Sequence, residues 1–210
     1  GALCSAIFQR YAQAPVSFLD DTKKMKKIFS ILENHFHGES SGIDPLISFY
    51  SRPILMDRFR EVSLIDILPP HKGNGEMFLL NTGRPRRTEP LVSLFLEKCK
   101  GDYFLEALDE KLIPVTNSCI DHFLEGDYAK LKEYFIQLSQ LQYEYFPEMI
   151  PKLFRPVWEK GLTNGTYSLK LCGAGGGGFI LGFTENLLEA KKELEDMDIR
   201  PIRFNYSHSL

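Results

Sequence analysis

Glu33 and His37 stand four residues apart in "DDTKKMKKIFSILENHF" and the histidine that follows it, and Asp44 comes soon after in "HGESSGIDP". On a helix that spacing makes two side chains surface neighbours, and a carboxylate beside an imidazole can bind a cation or hold a loop. Asp44 precedes Pro45, a residue that favours a first helical turn. Asp44 therefore reads either as a helix cap or as a carboxylate in a glycine-flanked turn, placed to accept a proton. Glu33 alone reads as a solvated helix glutamate, and His37 alone as a hydrogen-bonded structural histidine. Further on, "NTGRPRRT" places Arg84, Arg86 and Arg87 just ahead of a helix. Cations are disfavoured at that end of a helix dipole, so the arginines read as a surface basic patch or as a request for an anion.

The fourth stretch is "KLCGAGGGGFILGF", with five glycines among the six residues 173–178. Glycine loses more backbone entropy on folding than any other residue. A flexible linker would be polar and padded with serine, but here both flanks are apolar and strand-like. Two readings remain: a hairpin packed too closely for side chains, or a backbone that approaches a bound anion with its N–H groups. No G-K-[ST] follows, so this is not a Walker A loop. No acidic residue follows at the place a dinucleotide fingerprint requires.

The elements that must position these residues can be read from periodicity. Met25, Ile28, Phe29, Leu32 and Phe36 form one apolar helical stripe with Glu33 and His37 at its edge. "PLISFYSRPILMDRF" reads as a short helix or strand followed by a β-like segment, and "PPHKGNGE" as a domain boundary. After it, "MFLLNTG" reads as a strand, "RTEPLVSLFLEKC" as a helix, and residues 103–159 as helix-rich. "TYSLKLC", the glycine run and "GFILGF" read as strand, tight loop, strand. "ENLLEAKKELEDM" and "IRPIRFNYS" give a helix and a closing strand. Interleaved strands and helices predict an α+β sandwich with helices on one face of a sheet. "GALCSAIFQRYAQ" is already helical with no capping residue before it, and we expect it to begin mid-structure, with an upstream part elsewhere.

Composition narrows the function classes. The chain has 210 residues, 43% of them hydrophobic, and mixed charge. That is a globular composition. A net charge of −3 gives no electrostatic case for nucleic acid. The four cysteines, Cys4, Cys99, Cys119 and Cys172, are scattered with no C-x-x-C pair, which argues against zinc and a disulfide framework and fits a reducing cytoplasm. No apolar run reaches the length of a membrane span, and we expect no signal peptide.

Taken together, the stretches resemble the GHMP small-molecule kinases, most of all their mevalonate-kinase-like members. Lys170 to Gly178 resembles the K-[hydrophobic]-T-G-A-G-G-G-G motif, with Cys172 in place of a hydroxyl residue. Glu33 and His37-Gly38-Glu39-Ser40-Ser41-Gly42-Ile43-Asp44 resemble E-x-x-x-H-G-x-P-S-G-x-D, with Ser40 for the proline. Pro45 follows Asp44, where the family commonly has asparagine. Asn81 to Thr88 resembles N-T-x-x-P-R-x-T. Order and spacing agree over essentially the whole chain.

The resemblance implies phosphoryl transfer from ATP, with Mg²⁺, to the hydroxyl of mevalonate in isoprenoid precursor synthesis. It implies Asp44 as catalytic base, Glu33 as metal ligand and His37 as a brace. It implies Arg86 and Thr88 on the substrate carboxylate, and Gly173, Ala174, Gly175, Gly176 and Gly177 as a nucleotide and substrate loop. The implied fold is α+β: the second half of a ribosomal-S5-like N-terminal domain over residues 1–68, and a ferredoxin-like C-terminal domain over 75–210, with the active site in the cleft between them. Another kinase of the superfamily, acting on phosphomevalonate or a sugar, is an alternative; so is a non-catalytic binding fragment. The phosphate-binding loop and N-terminal lysine of the family have no counterpart among these residues, so the fragment alone is expected to be inactive. The partner is a small alcohol and not nucleic acid or membrane; the location is cytoplasmic, and a homodimer is one assembly open to it.

Overall fold

A computed structural model describes residues 1–37, 40–85 and 88–204; the side chains of residues 36, 37, 88 and 89 lie outside the description. The chain forms two compact units, Gly1–Ile67 and Leu68 onward. The elements of the first are α1 (Ala2–Tyr11), α2 (Val16–Leu19), α3 (Thr22–His37), α4 (Ile43–Tyr50), β1 (Ile54–Met56) and β2 (Val62–Leu64). The apolar stripe of α3 does what its period requires. Met25 and Phe29 are fully buried against Leu46 of α4, and Leu32 packs on the same cluster. Phe8 of α1, Phe29 and Phe49 form a triangle of rings with centroids 5.3, 5.5 and 5.7 Å apart. Burying side chains of this size contributes about 2 kcal/mol each, which is how so small a core holds. β1 and β2 pair antiparallel, Ile54 opposite Leu64, and the Thr22 hydroxyl at the start of α3 donates to the Val62 carbonyl at 2.8 Å.

The second unit contains β3 (Glu76–Asn81), α5 (Thr88–Lys98), α6 (Asp102–Ala107), α7 (Ile113–Glu125), α8 (Tyr128–Tyr145), α9 (Arg155–Asn164), β4 (Ser168–Leu171), β5 (Phe179–Thr184), α10 (Leu187–Glu193) and β6 (Asp198–Pro201). Its sheet has the order β4-β5-β3-β6, and every neighbouring pair is antiparallel. That is the split β-α-β order of a ferredoxin-like fold. The fold is α+β, as the sequence implied. One detail differs. Helices cover both faces of the sheet, not one. Phe78, Leu80, Leu169, Leu171 and Ile180 cluster with Trp158 of α9 and Ala190 of α10. The alternate positions Met77 and Phe183 cluster with Cys119 of α7 and Leu131, Phe135 and Leu138 of α8. Strands buried on both faces lose the clean apolar–polar alternation, and "MFLLN" and "FILGF" carry none.

Two bonds tie α8 to the free edge of β4. The Leu169 N–H donates to Ser139 Oγ at 3.3 Å and the Leu171 N–H to Gln142 Oε1 at 2.8 Å. An edge strand otherwise exposes unpaired donors. Trp158, fully buried, donates from Nε1 to the same Ser139 Oγ at 2.9 Å. The sheet that carries the glycine run is thereby fixed at its edge. Among the described residues no helix is long and apolar enough to cross a membrane.

Candidate functional site

In the first unit, α3 presents Glu33 inward. The residue is 6% exposed, so it is not the solvated helix glutamate that its local sequence suggests. Its two oxygens meet different partners. The Ser40 hydroxyl donates to Oε2, and the main-chain nitrogen of Gly1 lies 2.7 Å from Oε1. A buried carboxylate needs such donors, because desolvating it uncompensated costs several kcal/mol.

Ser40 is itself clamped. Its N–H donates to Asn34 Oδ1 at 2.6 Å, and its carbonyl accepts from the Ser30 hydroxyl at 2.6 Å. The turn then closes through Gly42, whose N–H donates to Ser40 Oγ at 3.2 Å. Gly42 has φ +74°, and a Cβ there would fall 2.3 Å from the Lys26 carbonyl and 2.6 Å from the Ser30 nitrogen. Only glycine satisfies both the left-handed backbone and the close approach.

Gly42, not Asp44, is the cap residue that precedes α4; Asp44 sits in the first turn and is exposed. It therefore does not act as the cap that its place before Pro45 suggested. The Cα of Gly1 lies against it: a Cβ on Gly1 would come within 2.9 Å of the Asp44 Cβ. The same residue, Gly1, thus touches both carboxylate residues, Glu33 through its nitrogen and Asp44 through its Cα. His37 closes α3 four residues after Glu33, but its side chain is outside the described set, as are Gly38 and Glu39.

In the second unit the glycine run joins β4 to β5 as a buckled loop. Gly173, Gly175, Gly176 and Gly178 all have positive φ, between +61° and +77°. Two of its N–H groups are spent on the protein. Gly176 donates to the Met149 carbonyl at 2.7 Å and Gly178 to the Arg84 carbonyl at 2.9 Å. The Gly178 carbonyl accepts from both the N–H and the hydroxyl of Thr82, each at 2.8 Å. A Cβ on Gly175 would fall 2.6 Å from the Met149 carbonyl, and one on Gly177 2.9 Å from the Arg84 carbonyl. The close-packing reading is therefore correct for these positions. The anion reading is left with Gly173, Ala174, Gly175 and Gly177, whose N–H groups are not among these bonds.

Arg84 is exposed, with its backbone carrying the loop as described. Arg86 lies outside the described residues. Thr88 opens α5, and its side chain is likewise outside them. Among the described residues no group of three His, Cys, Asp or Glu could hold a metal ion. Sequence reading missed Ser30, Asn34 and Ser40, which hold Glu33 and its turn, and the Met149 carbonyl under the glycine loop. The serine at position 40, where the resembled motif has proline, was the one available signal: a hydroxyl can donate and a proline cannot.

The same architecture recurs in solved structures. L. major mevalonate kinase, solved in complex with R-mevalonate, superposes with TM-score 0.66 at 15% identity over 97% of this chain and 62% of that one. Streptococcus pneumoniae phosphomevalonate kinase, solved with phosphomevalonate and AMPPNP, gives 0.64 at 14% identity over 94% and 65%. Lactococcus lactis galactokinase with galactose gives 0.64 at 12% identity over 95% and 63%. The chain shares the fold of these three kinases. It spans less than two thirds of the length of each of the three. No protein-family model matches the sequence, and no curated protein matches it.

Proposed function

We propose that this chain is the larger part of an ATP-dependent small-molecule kinase that transfers a phosphoryl group to the hydroxyl of mevalonate or a closely related alcohol. The observation that carries the reading is a buried, hydrogen-bonded glutamate on α3 beside an exposed aspartate in the first turn of α4, in a fold shared with kinases of three different small molecules. In this reading residues 1–68 correspond to the second half of the N-terminal domain and 75–210 to the C-terminal domain.

The chemistry suits the residue types. Phosphoryl transfer asks for positioning, charge neutralisation and an acceptor for the alcohol proton. Asp44 takes that proton: its carboxylate is exposed at the start of α4, on a backbone fixed by Gly42. Glu33 would supply an oxygen for Mg²⁺ by exchanging one of its present donors, since that cation takes one or two carboxylates together with phosphate oxygens and waters. When bound, Mg²⁺ neutralises phosphate charge. His37 braces the turn that presents Asp44. Arg86 and Thr88 hold the substrate carboxylate, and the free N–H groups of the glycine loop face phosphate oxygens.

The test is ADP release by the intact protein with mevalonate, phosphomevalonate and galactose as acceptors. We expect one of these compounds to support turnover, and Asp44→Ala to reduce it by about 10³-fold with ligand binding retained. Undiminished ADP release by the alanine variant would remove Asp44 from the chemistry.

A further inference from the structure

On the α7–α8 face of its sheet, the second unit has a cavity of about 450 Å³, within the range of small-ligand pockets. Its walls are apolar: Met77 of β3, Ile120 of α7, Phe135 of α8, Leu181 of β5 and Phe204 all contribute. Among the described residues, Lys170 of β4 is the single charged member of the lining. Its place follows from the strand. Leu169 and Leu171 on either side of it cluster with Trp158 on the opposite face, so alternation turns Lys170 to this one.

Lys170 forms no ion pair among the described residues. An ammonium carries three donors, and here one of them reaches the Leu171 carbonyl at 2.9 Å. Desolvation lowers the lysine pKa, and the ionisable groups that act on it are two thiols, those of Cys172 and Cys119. Burial pushes the Cys119 thiol up to about 12, so it is a neutral neighbour at pH 7. A cation withdrawn from water with no counter-ion is costly, and an anion brought to it recovers part of that cost. Lys170 keeps some accessible surface and borders the cavity, so a ligand can meet it. Neither this residue nor this face has a part in the phosphoryl transfer proposed above.

We propose that the cavity binds a small amphiphilic acid, its carboxylate on the Lys170 ammonium and its hydrocarbon chain among Met77, Ile120, Phe135 and Leu181. The surroundings select that class. Apolar walls favour a hydrocarbon body. One lysine matches one negative charge, and a phosphate ester would bring a second charge into the same apolar setting. A neutral alcohol leaves the ammonium without a counter-ion, and an amine repels it. The acid is a free molecule, because a cavity of this size encloses one short chain.

The experiment titrates sodium octanoate into the full chain at pH 7, by calorimetry and by following the Lys170 Hε–Cε resonance. We expect one molecule to bind and to move that resonance. Octanol should bind about tenfold more weakly, and octylamine should not compete. Shortening the acid to hexanoate should weaken it about fourfold per methylene removed. Lys170→Met keeps the apolar stem and should bring octanoate down to the affinity of octanol. Should that variant not fold, the wild-type resonance and the three head groups decide alone. A Lys170 resonance that stays in place, octanol or octylamine binding as well as octanoate, or uptake of many octanoates with no dependence on Lys170 each overturns the proposal. Binding of octanoate is independent of the kinase reading: loss of Asp44 chemistry leaves it standing, and its failure leaves turnover untouched.

Discussion

The two units solve the same problem with different material. Each must hold a tight turn in a conformation that side chains obstruct. In the first unit, side chains build the turn: Ser30, Asn34 and Ser40 bond it together around Glu33, and a single glycine, Gly42, makes the bend. In the second, the backbone builds it: carbonyls of Met149 and Arg84 receive Gly176 and Gly178 directly. The two buried charges differ in the same way. Glu33 has a donor on each oxygen. Lys170, half-buried among apolar residues of the second sheet, donates to the Leu171 carbonyl at 2.9 Å, and desolvation lowers its pKa. A bond made by a side chain can be lost singly, whereas a glycine set against a backbone atom, Gly42 in the first turn and Gly175 in the second, resists any Cβ.

Gly42→Ala should be the most damaging change, at about 4 kcal/mol, because it combines a positive φ with contact against two backbone atoms. Denaturant unfolding would measure it; near-wild-type stability would mean that α3 and α4 can separate at no cost. Gly175→Ala should follow at about 3 kcal/mol, since its Cβ meets the Met149 carbonyl. Ser40→Ala should cost about 2 kcal/mol, leaving a buried carboxylate one donor short. Were it harmless, the first turn would not depend on its side chains and the contrast between the units would collapse. Gly178→Ala should cost only about 1 kcal/mol, because φ is +70° but nothing lies within 4 Å of the new Cβ. A loss equal to that at Gly175 would show that backbone conformation, and not close approach, governs the loop.

Lys170→Met addresses the buried charges through pH. Because the native pKa lies below the ordinary 10.5, the folded chain binds the lysine proton less readily than the unfolded chain does. The wild type therefore bears a stability cost at neutral pH, which fades as pH rises toward 10.5. The methionine variant should melt higher than wild type at pH 7, with the gap closing in alkali. A constant gap would assign the effect to packing.

The readable part of this chain was what lies close in sequence. The stripe on α3, the strand after "PPHKGNGE", the strand–loop–strand around the glycines and the α+β class all follow from periodicity and turn chemistry. Helices on both faces of the sheet were not legible, because a strand buried on two sides and a short buried helix segment have similar composition. Glu33 illustrates the limit at the site. Its neighbours on the helix say surface, and its burial comes from Ser40 and Gly1, seven and thirty-two positions away in the sequence.

Sequence alone determined which residues could do chemistry: a helix glutamate, a turn aspartate and a run of residues with no side chains, in an order that resembles one kinase superfamily. It also determined that glycine is required where the chain bends left-handed. Tertiary structure alone decided that Glu33 is held from both oxygens, that Met149 and Arg84 anchor the glycine loop, and that Lys170 borders an apolar cavity. The physical reason is range. Helical period and turn preference act over a few residues, while a carbonyl or a hydroxyl finds its partner only when segments far apart in sequence have packed together.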